Sequence, residues 1–584
     1  MGHVEKVYNP PEDIQEMRAK GLPWVVATCL LVIFVLSGVI FYFVVTAELS
    51  AEFATTTIAP TTGYEVEFLG TERTPTQEKP STLTSAASPT AAVEAERISI
   101  EWPPPTRSVS RNFLHAAVSC RNEYCAEIGR DILIRDGNAV DAAIATVVCM
   151  GAVHPYATGF GGGLMMIVHN RANNETVVVN AGSIAPRTAN EETFLNNPSL
   201  ARIGYSSIGT PGFLHGIWTA YKRFGSGRIS WQDLLQPSAN LLERGYPVSA
   251  DFVAAVQSRL HEIIAERSMN PAYDTLTEGA ILRDPVHSNF LRRLSTAADP
   301  IELFFRGEIA NQIVYEMKHR GGLLTKADLA GYEARIEPPH STTLLNGYTI
   351  KGPASQSSFI AIGLIVEIMM GRYSNGSETP MDVSYLRDLL MAQRIGLVRL
   401  EQIGDPDFTF HDIVMDAMGE RRNNTLEDSE EDVDDVDDID VSKLLWNLHE
   451  DSVGSHINVI DREGMAVSLS STINDRFGSV RRSEKSGFVW NNAMSGFTIY
   501  DKEDSEDTHA NAVEGRKRPR TSMAPFMLFD PYGQALLSEL RSGMSLNPML
   551  LPDSVVHTLE RSQNGSLRAV CDFRDGVDQC ARGY

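Results

Sequence analysis

The side chains best suited to covalent chemistry lie in one stretch, Asp451 to Phe497, which reads DSVGSHINVIDREGMAVSLSSTINDRFGSVRRSEKSGFVWNNAMSGF. Ser455 stands beside His456, and a polar segment, Ser470 to Asn474, follows. A serine or threonine hydroxyl attacks a carbonyl carbon once a base takes its proton and donors receive the charge on oxygen. Thr472 and Asn474 in Ser-Thr-Ile-Asn, and Thr521-Ser522 in Thr-Ser-Met-Ala-Pro525, are polar groups that could support such a step. They can equally be structural, because Ser, Thr and Asn satisfy backbone groups in turns. No Cys, His or acidic set has metal-ligand spacing, so neither a metal nor a cofactor is expected.

The elements that must position these groups are legible nearby. Ile457-Asn458-Val459-Ile460 and Met465-Ala466-Val467-Ser468-Leu469 alternate apolar with polar and flank Asp461-Arg462-Glu463-Gly464, which predicts a β-hairpin with a glycine-containing turn. Upstream, Glu127–Asp136 and Ala139–Val148 read as two helices around Gly137-Asn138. The glycine run Thr158-Gly-Phe-Gly-Gly-Gly163 leads into two apolar strands, Leu164–Val168 and Val177–Ala181. Gly347 to Gly371 supplies a strand, a Ser-rich turn and a helix.

Composition narrows the classes. At 584 residues and 43% apolar content, the chain can bury a sizeable core. A formal charge of −24 argues against nucleic-acid binding, and six cysteines are too few for a disulfide scaffold. Residues 24–47 are apolar and uncharged, long enough as a helix (about 36 Å) to cross a bilayer core of about 30 Å. Lys6, Arg18 and Lys20 precede them and no Lys or Arg follows until Arg73. The expected topology is therefore type II at the plasma membrane, with a cytoplasmic tail (1–23), one membrane helix (24–47) and the C-terminal part outside. Residues 48–110, rich in Ser, Thr and Pro, read as an extended stalk. An acidic segment at 426–441 reads as a self-repelling, solvated loop. Asn174, Asn375, Asn423 and Asn564 open glycosylation sequons.

The order of these blocks, continued by Ser207–Gly212, Trp231–Ser238, Gly245–Val248 and Gly321–Leu329, resembles the γ-glutamyltransferases, or glutathione hydrolases. These are N-terminal-nucleophile hydrolases that act on γ-glutamyl compounds such as glutathione. The resemblance implies an α+β fold, a four-layer αββα sandwich, with 111–453 matching the family's large subunit and 454–584 its small one. It also supports a disulfide between Cys125 and Cys149, which could otherwise be two buried thiols. Cys571 and Cys580 are candidates for a second bridge.

In that family an internal threonine opens the small subunit as Thr-x-His, and the chain cuts itself just before it. The matching place here reads Gly454-Ser455-His456. Gly454 carries no hydroxyl, which leaves Ser455 as the only candidate nucleophile, one residue late in a strand whose side chains alternate between faces. The family's Asn-Ala-Arg, whose arginine grips the glutamyl carboxylate, reads Asn180-Ala181-Gly182, and the nearest arginine is Arg187. The acids after Asn-Asn, which receive the substrate amine, are replaced at Ala493, Ser495 and Gly496. Thr472, Asn474, Thr521 and Ser522 match the family's supporting and carboxylate-binding groups. After Gln534 the region is shortened, and no Gly-Gly pair for an oxyanion loop occurs beyond Phe497. The resemblance implies that a core strand and a long helix of the family are missing there, which should also leave apolar surface uncovered.

Three readings follow from the resemblance. One is a catalytically impaired surface protein that acts by binding, or by association with itself or an active relative. Another is a working glutathione hydrolase or transferase that uses Ser455. The third is a damaged gene product that seldom folds.

Overall fold

The predicted hairpin forms the centre of the molecule because each of its strands has apolar residues on one face and small polar ones on the other. Strands Ser452–Ile460 and Ala466–Asp475 pair antiparallel, with Ile460 opposite Ala466 and Ile457 opposite Leu469. The turn is closed by Asp461, whose side chain accepts the Glu463 and Met465 amides, with Gly464 at φ +87°. Asp461 Oδ2 also accepts the Ala139 amide at 3.0 Å, which ties the turn to the start of a helix.

The computed structural model describes residues 110–344, 347–354, 356–373, 383–409, 452–499, 510–531, 535–538, 558–561, 566–570 and 580–584. The predicted tail, membrane segment and acidic loop lie outside these residues, as do residues 48–109 of the stalk and Asn375, Asn423, Asn564 and Cys571. Among the described residues, no helix is long and apolar enough to cross a membrane.

Two antiparallel seven-stranded sheets carry the fold. The first runs, in spatial order, Ala581–Gly583, Ala117–Cys120, Ser452–Ile460, Ala466–Asp475, Gly163–Asn170, Glu175–Ala181 and Arg335–Glu337. The second runs Ser110–Phe113, Leu567–Val570, Thr558–Arg561, Ala535–Ser538, Phe526–Phe529, Thr349–Gly352 and His340–Thr343. The shortened C-terminal region thus still fills the middle of the second sheet, with Ala535–Ser538 paired on both sides. Among the described residues, the large exposed apolar side chains are dispersed over several elements, from Leu114 to Leu390 and Met391.

Strand alternation sorts side chains into layers. Ala117, Ile167, Val178, Ile460, Met527, Phe529, Leu559 and Leu567 pack together between the two sheets. Ile457, Val459, Val467 and Leu469 face the other way, onto a core shared with the fully buried helix Ala139–Val153. Phe526 joins Ile350, Phe359 and Ile362 on the outer side of the second sheet, against helix Phe359–Tyr373. The result is helices, sheet, sheet, helices, as expected from the resemblance.

Helices Glu123–Ile134 and Ala139–Val153 flank the predicted Gly137-Asn138 turn, where Asn138 and Asp141 form a capping box. A disulfide joins Cys125 to Cys149 across this pair. Cys580 is also in a disulfide. Cys120 is buried, and its thiol donates to the Asn122 carbonyl.

Candidate active site

The register of the central hairpin decides where Gly454 and Ser455 belong. Val453 pairs with Asn474 and Ser455 with Ser471, with a bulge between them in which Thr472 and Ile473 together oppose Gly454. Ser455 shares its face with Ile457 and Val459, which pack into the helix-side core. Its cross-strand neighbour Ser471 confirms that side: Ser471 Oγ donates to the Gly163 carbonyl at 2.9 Å and accepts from Thr158 Oγ1. Position 454 falls in the opposite register, with His456 and Asn458.

His456 is buried and held by its own network. Its Nε2 lies 2.9 Å from Asn458 Oδ1, an acceptor, so the ring proton sits there and Nδ1 accepts from Ser470 Oγ, also at 2.9 Å. Ser455 and His456 are adjacent in sequence, but they point to opposite faces of the strand. They do not form a nucleophile–base pair.

A small open cleft lies at the end of the hairpin. Gly163, Gly182, Ser183, Gln356, Thr472 and Asn474 line one part, and Ala493, Arg520 and Thr521 another. Neither Gly454 nor Ser455 is among the lining residues. Thr472 reaches back toward that place, since its Oγ1 donates to the Val453 carbonyl and accepts from the Asn474 amide. Asn474, at φ +81°, donates from Nδ2 to Ser495 Oγ at 2.7 Å. Thr521 Oγ1 accepts the Met523 amide. Ser522 is exposed and off the lining, so the predicted Ser pair is split.

The positions expected to have lost charged groups do come together here. Gly182 and Ala493 line the cavity, and Gly496 is close by through Ser495. A Cβ at Gly182 would meet only Asn180 Oδ1 at 3.5 Å and Gln356 Nε2 at 3.8 Å, so a side chain has room. A Cβ at Gly496 would lie 2.8 Å from the Arg520 carbonyl and 3.1 Å from Pro519, so the surrounding backbone has closed in. Arg187, the nearest arginine in sequence, points elsewhere. Its guanidinium is half exposed and sits 3.8 Å from Asp328.

The Asn-Asn pair has a structural role. Asn491 Nδ2 donates to the carbonyls of Gly161 and Gly209, and its Oδ1 accepts the Gly209 and Ala493 amides. Asn492 bonds the Arg202 carbonyl and Asp475. Four chain segments are thereby clamped around the cavity.

Arg520 and Gln356 are among the lining residues that sequence reasoning missed. Arg520 is held by the Leu400 carbonyl, Glu401 and Thr498 Oγ1. Gln356 is 1% exposed at φ +51°. A basic run and a Ser-rich turn were the only signals, and neither predicts convergence from distant segments. Behind the cavity, Glu337 accepts from Asn180 Nδ2, and burial raises its carboxyl above the usual range despite Arg335 and Arg518 nearby. No group of three or more His, Cys, Asp or Glu residues that could hold a metal occurs among the described residues.

The chain matches the family model of γ-glutamyltranspeptidase over residues 125–549. It is 30% identical to "Glutathione hydrolase 2" of Arabidopsis thaliana over 425 residues, which covers 70% of this chain and 72% of that protein. It is 27% identical to "Glutathione hydrolase 5 proenzyme" of Rattus norvegicus over 431 residues, 72% of this chain and 74% of that one. In fold it is similar to the cephalosporin acylase of Bacillus halodurans, with a TM-score of 0.66 and 18% identity over 83% of this chain and 98% of that one. On the extent of the family match and the plant relative, this chain belongs to the γ-glutamyltranspeptidase family.

Proposed function

We propose that this chain is a γ-glutamyltransferase-like ectoprotein whose family reaction is lost or severely impaired, and that it acts by binding or by association with another chain. The observation that carries the reading is Gly454. The residue in register with the cavity-lining strand face has no hydroxyl, while the hydroxyl next door, on Ser455, belongs to the helix-side core. A nucleophile must reach the carbonyl it attacks, and an N-terminal amine can act as base only after the preceding peptide bond is cut. Gly182 and Ala493 support the reading, because a bidentate guanidinium and a carboxylate are the ordinary partners of an amino-acid head group and neither is present at those positions.

The ligand class that fits the family is a γ-glutamyl compound, by analogy with the relatives named glutathione hydrolases. The membrane part of the reading rests on the uncharged apolar run 24–47 and the basic residues before it. Hydrolysis of a γ-glutamyl anilide by the full-length chain tests the loss of activity. The expected rate equals the uncatalysed background and is unchanged by Ser455→Ala. A rate above background that Ser455→Ala abolishes would overturn the proposal.

A further inference from the structure

Residues 483–493 are pinned to the rest of the molecule by a buried carboxyl outside the cleft. Glu316, on helix Glu308–Arg320, is 9% exposed and meets two side chains of that segment. Trp490 Nε1 donates to its Oε1 at 3.2 Å, and Ser483 Oγ lies 3.3 Å from its Oε2. The Tyr205 hydroxyl faces it from a third element. Among the described residues, no cation pairs with it: Arg320 is on Glu484 at 2.7 Å, and Arg481 is on Glu266 at 3.0 Å. A buried carboxylate with neutral partners only is costly, so the neutral acid is the form that fits, its O–H donating to Ser483 Oγ. Burial raises this carboxyl to about 7, Glu484 pushes it the same way, and the bonds from Trp490, Ser483 and Tyr205 oppose the rise.

The pinned segment runs straight into the cleft. Trp490 pairs with Gly161 as an isolated bridge, and its carbonyl accepts the Ser479 amide. Next in the chain, Asn491 clamps Gly161 and Gly209, and Ala493 lines the cleft. Just before the segment, Arg482 donates twice to Asp284, at 2.8 Å each, and forms a fixed pivot. A second hook, Arg320 on Glu484, starts four residues along the helix from Glu316. At that spacing a glutamate and an arginine on one helix can pair with each other.

We propose that Glu316 is a proton-controlled catch on residues 483–493. Protonated, it holds Ser483 and Trp490 against the helix. Ionised, it draws Arg320 from Glu484, so both hooks slacken and the Asn491–Ala493 side of the cleft loosens as pH rises through neutrality. The surrounding charges set this direction. Glu484 disfavours ionisation where it stands, and Arg481 is occupied by Glu266 and lies over the Tyr205 ring, which leaves Arg320 as the cation to recruit. The inference concerns the shape of the cleft and holds whatever the cleft binds, so it stands or falls apart from the proposed loss of catalysis.

Hydrogen–deuterium exchange with mass spectrometry tests it on the full-length chain at pH 6, 7 and 8, each peptide referenced to the unfolded chain at the same pH. Protection within residues 483–493 is expected to fall about tenfold from pH 6 to pH 8, as for a carboxyl that titrates at about 7 when latched and at 4.5 when released. Glu316→Gln is expected to abolish that fall. Glu484→Gln, an exposed change that frees Arg320 for Glu316, is expected to move the midpoint of the fall to lower pH.

No fall in the parent, a fall that Glu316→Gln retains, or a Glu484→Gln midpoint left in place overturns the inference. So does equal protection of this segment and of helix Ala139–Val153, which would mean that only whole-chain unfolding is seen.

Discussion

Ser455 lies directly opposite Ser471 on the helix-facing side of the central hairpin, and Ser471 is bonded in turn to Thr158 and the Gly163 carbonyl. The Ser455 hydroxyl is buried on the same face as this polar cluster beneath the sheet. Ser455→Ala should therefore act on stability, if at all, by no more than about 1 kcal/mol. Urea unfolding of the variant checks the effect.

The two empty glycine positions should respond differently to a side chain. Gly182→Arg has room at its Cβ and should leave unfolding free energy within about 1 kcal/mol of the parent. Gly496→Asp drives a Cβ against the Arg520 carbonyl and should cost about 1–3 kcal/mol. Equal costs at the two sites would contradict the packing described around the cavity.

Much of the fold was legible because local rules and tertiary packing agree. The hairpin turn, the helix pair around Asn138 and the strand–turn–helix from Thr349 to Tyr373 follow from alternation, glycine placement and capping. The cavity was only half legible. Gly182, Thr472, Asn474, Ala493 and Thr521 line it, but Ser522 faces solvent and Arg187 pairs with Asp328. Gln356 and Arg520 had no periodic signal. Their convergence depends on a left-handed residue and on a loop clamped from three other segments, and sequence spacing encodes neither.

Burial raises the Glu316 carboxyl to about 7, although Trp490 Nε1 and Ser483 Oγ hydrogen-bond it. The folded chain then holds a proton that the unfolded chain has released above the ordinary carboxyl value. The stability from this proton is fully present below about pH 4.5 and is lost as pH rises through 7, by up to roughly 3 kcal/mol. Burial holds His287 and His169 near 4, so they act oppositely, removing stability as pH falls from 6.5 toward 4. The difference between the parent and Glu316→Gln isolates the first effect. It should decline between pH 4.5 and 7 in urea titrations, and a flat difference would contradict it.

The Cys125–Cys149 bridge closes a loop with a sequence separation of 24. Replacing both residues by serine should lower the unfolding free energy by roughly 3 kcal/mol on loop-entropy grounds. A midpoint shift in denaturant at unchanged slope would be the signature.

Asn174 is exposed at the turn between strands Gly163–Asn170 and Glu175–Ala181. If the C-terminal part faces the cell exterior as proposed, this sequon is accessible for glycosylation. Asn174→Gln should then remove one glycosidase-sensitive increment on a gel, and protease added to intact cells should digest the domain.

The central claim is that this chain does not generate the nucleophile of its family. The most direct test is a denaturing gel of the full-length chain with intact mass and N-terminal sequencing of every band. The account predicts one uncut chain. A clean cut between Gly454 and Ser455, exposing Ser455 as a new N-terminus, would contradict it.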